Sequence, residues 1–220
     1  MRKSWAYASE RELWQSRRKP RVAHNRMIDK PLIADFFTSY GESLAVIASF
    51  IASTRVNVGE CIRQSKFPKS IIEAVCICKF VGTSFGVDAV SATRKMMNAR
   101  GVQQESGLGA GSFVCNCTCA AEGDNTIMEL KVVGDLVKGG ILSMFPVSLM
   151  LRSIFVNGAV SRRVVLHYAV GIARAMWLQE KAMEEGQLLR DIAWCRAHLL
   201  IIDSFRRHGA AKHGVEHVDA

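Results

Sequence analysis

Proline is scarce, at 4 residues in 220, and aromatic side chains make up only 8% of the chain. A sandwich of short strands needs regular turn residues and a supply of β-formers. Alternating apolar and polar positions of useful length are missing too, so strands have no pattern to form on. Carboxylates are outnumbered, 20 against 29 Lys and Arg, for a net charge of +9. No zinc-finger, RNP or basic-zipper pattern accompanies that charge. Its densest run is Arg17-Arg18-Lys19, with Arg21, Arg26 and Lys30 following. The scatter of the rest argues against nucleic acid as a partner.

No stretch offers the ~20 uncharged apolar residues of a spanning helix, so no membrane span is expected. The longest, Ile141 to Val156, is interrupted by Pro146 and Arg152. No apolar segment follows Met1-Arg2-Lys3-Ser4-Trp5, so no signal peptide is expected. The seven cysteines are an odd number and read as free thiols in a reducing, intracellular compartment.

What is present is helical periodicity. Trp5, Ala8, Leu13 and Trp14 predict a short helix over 3–18, ended by Pro20. Pro31 opens a second, carrying Leu32, Phe36, Tyr40, Leu44, Ile47 and Ile51. Gly59 and Pro68 bracket a connection. A third helix follows through Ile71, Val75, Cys78, Phe85, Val90 and Met97, with Gly82 and Gly86 marking close helix contact. Residues 101 to 121 are rich in Gly, Ser, Asn, Thr and Cys and predict a loop.

Asp124-Asn125-Thr126 starts the next helix, through Ile127, Leu130, Val133 and Val137 to Gly139-Gly140. After an apolar connector, two helices form a hairpin divided at Gly186. The first carries Val165, Ala169, Ile172, Met176 and Met183, the second Leu188, Ile192, Cys195, Leu199 and Ile202. Val165 and Leu199 are expected to face the core, and the tail from Gly209 to fray. The prediction is an all-α antiparallel bundle over 1–140, a further helical region over 141–208, and a tail over 209–220.

Four constellations bear on chemistry. Cys115, Cys117 and Cys119 offer thiols at i, i+2 and i+4, but zinc knuckles use Cys-x-x-Cys and no second pair is near. The glycines of Ser106-Gly107-Leu108-Gly109-Ala110-Gly111-Ser112 admit close backbone approach to a phosphate, or form a plain flexible loop. Glu122-Gly123-Asp124-Asn125-Thr126 places acids at a helix start, as an anion-binding terminus or an ordinary cap. Arg11 beside Trp14 suits phosphate pairing and stacking, or a solvated helix face.

Taken in order, these features resemble the C-terminal half of the flavin-dependent acyl-CoA dehydrogenase and acyl-CoA oxidase superfamily. The similarity runs through Arg11 and Trp14, Pro31-Leu32, the Gln104-Glu105-Ser106-Gly107-Leu108-Gly109 turn and the Glu122-Gly123-Asp124-Asn125-Thr126 string. In place of the family's Gln and Gly stand Leu13 and Gln15.

The resemblance implies FAD as cofactor and oxidation of an acyl-CoA to its trans-2-enoyl form. Glu122 would be the base that removes the α-proton. Arg11, Trp14, Gly107, Gly109, Asp124, Asn125 and Thr126 would lie near the cofactor, and no metal is implied. It also implies a homo-oligomer, with electrons passing to an electron-transfer flavoprotein or to oxygen. The location would be peroxisome or mitochondrion in a eukaryote and cytoplasm in a bacterium. The family's N-terminal and middle β domains have no counterpart here, so a fragment, a split subunit or a truncated product is expected. A non-catalytic helical interaction module derived from that family is the alternative.

Overall fold

The computed structural model describes residues 31–97, 103–121, 123–139, 146, 148–150, 158–178 and 185–209. Among them the fold is all-α, without a strand. The helices are α1 (Pro31–Gln64), α2 (Lys69–Met96), α3 (Leu108–Ala120), α4 (Asn125–Lys138), α5 (Gly158–Leu178) and α6 (Gly186–Ser204). A 3-10 turn, Gln104–Ser106, precedes α3, and a π turn, Phe205–Gly209, follows α6. The expected helix over 3–18, Met183 and the tail beyond 209 lie outside the described residues.

Two predicted loops are corrected. Gly59 does not interrupt α1, because one glycine costs only ~1 kcal/mol in a helix. The stop comes at Ser65, which has φ 51. There Ser65 N donates to Ile62 O at 3.2 Å and Lys66 N to Cys61 O at 3.1 Å, closing a left-handed C-cap. The segment 101–121 is helical from Leu108 to Ala120. Gly107, at φ 66, ends the 3-10 turn, and α3 starts just after it. Polar side chains of poor propensity bond back within the helix. Asn116 Nδ2 donates to Ser112 O at 2.8 Å, and Thr118 Oγ1 to Cys115 O at 2.8 Å.

The chain divides into two compact units. One holds Met1–Ala45 with Thr83–Cys119, the other Val46–Gly82 with Ala120–Ala220, so α1 and α2 contribute to both. In the first, the Tyr40 ring lies 5.8 Å from that of Phe85 and 4.6 Å from that of Phe36. A Cβ on Gly86 would stand 3.3 Å from Cys115 Sγ, which is the close contact its glycine predicts.

In the second, α6 packs on α4 and α5. Ile77 and Phe80 of α2, Val133 of α4, Tyr168 and Ile172 of α5, and Leu189, Ile192 and Leu199 of α6 are its largest fully buried side chains among the described residues. Val165 is buried with them, as its spacing predicts. Gly82 admits Ile51, whose Cδ1 would be 3.4 Å from an added Cβ, and Gly171 admits Ile192 at 3.0 Å. Leu149, within the predicted connector, is buried in the same core.

Candidate functional site

The helix start at α4 is well formed. Gly123, at φ +108, takes a turn conformation that L side chains rarely adopt. Asp124 follows in extended geometry, and its Oδ1 accepts from Thr126 N at 2.9 Å. Lys79 Nζ donates to Asn125 Oδ1 at 3.4 Å. This is an acidic cap: the Asp124 carboxylate already holds the positive end of the helix. A second anion at this helix end would meet that carboxylate.

The other described cofactor candidates are held by contacts within their own turn or helix. Gly107 closes the 3-10 turn, its N–H donating to Gln104 O at 3.0 Å. Gly109 lies in the first turn of α3 with open space where a Cβ would stand. Both belong to the first unit, whereas Asp124, Asn125 and Thr126 belong to the second. Arg11, Trp14 and Glu122 lie outside the described residues. The thiols of α3 are separated by the helix itself. At about 100° per residue, Cys115 and Cys119 share a side and Cys117 faces away, with Cys117 exposed.

Sequence reasoning missed two buried polar ties. Glu129 accepts from Arg190 Nε at 3.0 Å and from Trp194 Nε1 at 2.9 Å. Glu73 of α2 takes a fork from Arg196 of α6, Nε to Oε1 at 2.7 Å and Nη2 to Oε2 at 3.2 Å. Burial works against the Arg196 charge, but the bonds to Glu73 outweigh it and hold the guanidinium pKa above its ordinary value. Burial likewise pushes the neighbouring Tyr168 hydroxyl up to about 12. The available signal was register: Glu129 falls in step with buried Val132, Val133 and Leu136. Such ties orient helices, and they place no reactive group at a surface.

The outer side of α5 leaves large apolar side chains in water. Leu166 is 63% exposed, Val170 59% and Trp177 87%, with Ala173 exposed between them. At 3.6 residues per turn these four fall within about 60° of arc, on the side opposite Val165, Tyr168 and Ile172. A helix apolar on two opposite sides is normally covered on both. Arg162, Arg163 and Arg174 flank the stripe, and α5 carries no carboxylate.

Two further helices are more apolar than the expectation of no spanning stretch allowed. Ala34–Gln64 and Lys69–Met96 are long and apolar enough to cross a membrane, with mean hydropathy reaching 1.3 and 1.6. Both carry isolated charges, and in α2 two of these are engaged, Glu73 with Arg196 and Lys79 with Asn125. Comparison with family models, with curated proteins and with solved structures finds no match to this chain.

Proposed function

We propose that this chain is a helical interaction module, acting by docking its surface rather than by redox chemistry. The outer stripe of α5 carries the reading, since Leu166, Val170 and Trp177 stand exposed while Val165, Tyr168 and Ile172 of the same helix are buried. Apolar area left in water is unfavourable by about 25 cal/mol per Å², which rewards any partner that covers it.

The test is a footprint. Val170→Cys is alkylated in a cell homogenate and in the purified chain, and its modified peptide is quantified by mass spectrometry. Gln187→Cys on exposed α6 surface serves as reference. Slow alkylation at position 170 in the homogenate and fast alkylation in the purified chain are expected. Equal rates relative to position 187 would contradict the reading.

A second reading is the flavin-dependent acyl-CoA oxidation that the resemblance implies. One observation favours it: Gly123-Asp124-Asn125-Thr126 opens a helix, as the family string would. Its test is direct. The purified chain either carries flavin absorbance that acyl-CoA bleaches, or it is colourless and the reading fails.

A further inference from the structure

We propose that the partner of the α5 stripe is the surface of an anionic lipid bilayer, a proposal that rests on the interaction-module reading. The stripe is convex and about three turns long, and it ends in Trp177, the most exposed of the large hydrophobic side chains among the described residues. A helix with Leu and Trp on one side and arginines beside it lies in the interfacial plane of a bilayer, apolar side down. The flanking charges have the sign this needs. Arg162 borders one edge of the stripe, Arg163 and Arg174 the other, and His167 follows on the latter side.

Arg174 is bonded to Glu185 at 2.8 Å, but both side chains are open to water, 60% and 37%, so the pair can be exchanged for a lipid headgroup. A second copy of the chain is the poorer occupant. It would set two arginine-bearing helices without carboxylates against each other, in a protein of net charge +9.

The experiment is flotation of the full chain with phosphatidylcholine vesicles, with and without phosphatidylserine. Partition onto the anionic vesicles should exceed that onto neutral ones by about fivefold for each arginine engaged, and should fall steeply as salt is raised. Val170→Asp should cut the partition about tenfold or more. Replacing Arg162, Arg163 and Arg174 together by Ala should abolish the preference for phosphatidylserine.

A second measurement is independent of those variants. Acyl chains brominated near the headgroup should quench the tryptophan emission of the wild type and leave a smaller quenched fraction in Trp177→Phe. Equal flotation by wild type and Val170→Asp, or equal quenching with and without Trp177, overturns the proposal. Protection of position 170 in the homogenate without vesicle binding overturns the lipid assignment alone and leaves the module reading standing. Failure of both overturns both.

Discussion

Arg196 holds Glu73 through a two-bond fork, joining helices whose residues lie 123 positions apart in sequence. Both side chains are mostly out of water, 10% and 16% exposed, and Arg196 Nη1 is buried without a hydrogen-bond partner among the described residues. A buried pair of this kind is more costly to halve than to replace. Arg196→Met alone should destabilise by about 3–5 kcal/mol, because it strands a buried carboxylate. The double change Glu73→Leu with Arg196→Met should recover most of that loss. Urea unfolding of the two single variants and the double variant measures the coupling.

Tyr168 gives the pH dependence. Its hydroxyl is raised to about 12 by burial, against an ordinary value of 10.0. Above pH 10 the unfolded chain releases the proton first, so the folded state binds more protons and stability falls as pH rises. The contribution is fully present below pH 10 and fades through pH 12, by up to about 2–3 kcal/mol. Tyr168→Phe should flatten that limb of the stability profile.

Two caps predict changes of opposite sign. Ser65 sits at φ 51, where an L side chain is disfavoured by roughly 1–2 kcal/mol, so Ser65→Gly should raise the unfolding midpoint. Asp124→Ala removes the acceptor of Thr126 N–H and should cost about 0.5–2 kcal/mol. Thermal unfolding of each variant is sufficient to check both.

Leu199 is fully buried. Leu199→Ala should cost about 2–5 kcal/mol, the upper end applying if the cavity does not collapse.

The thiols should separate by rate. Burial pushes Cys76, Cys78 and Cys195 up, away from the reactive thiolate, while Cys117 stands exposed on α3. Maleimide labelling followed by peptide mapping should modify Cys117 at least about tenfold faster than Cys76. Equal rates would place Cys76 in water.

The helix positions were legible where spacing and end signals agreed. Pro31 opens α1, Asp124 caps α4, and Val165 and Leu199 face inward as expected. Residues with two apolar registers were not legible. Ile127, Leu130 and Val137 keep helical spacing, yet they are exposed while Val132 and Leu136 are buried. In α5 Met176 shares the predicted register but is 42% exposed. Periodicity tells that a helix has an apolar side, and tertiary packing decides which of two sides turns inward. The loop assigned over 101–121 failed for a similar reason. Single-residue propensities there differ from those of good helix formers by less than about 1 kcal/mol each, and Cys115 over Gly86 gives α3 a packing contact.

Of the candidate site, only the cap at Asp124 was legible, as one of two readings of the same string. The fork between Glu73 and Arg196 joins residues too distant in sequence for spacing to connect them. The outer stripe of α5 was hidden because Leu166, Val170 and Trp177 keep helical spacing of their own on the side away from Val165, Tyr168 and Ile172.

The interaction-module reading needs the outer stripe of α5 to have no partner within its own fold, which the unfolding free energy of Val170→Asp combined with Trp177→Gln measures. A side chain with no partner inside its own fold can be made polar at little cost. The double variant should stay within about 0.5 kcal/mol of wild type at equal unfolding slope. A loss of about 2 kcal/mol or more would mean that these residues are already buried against the chain itself, and would contradict it.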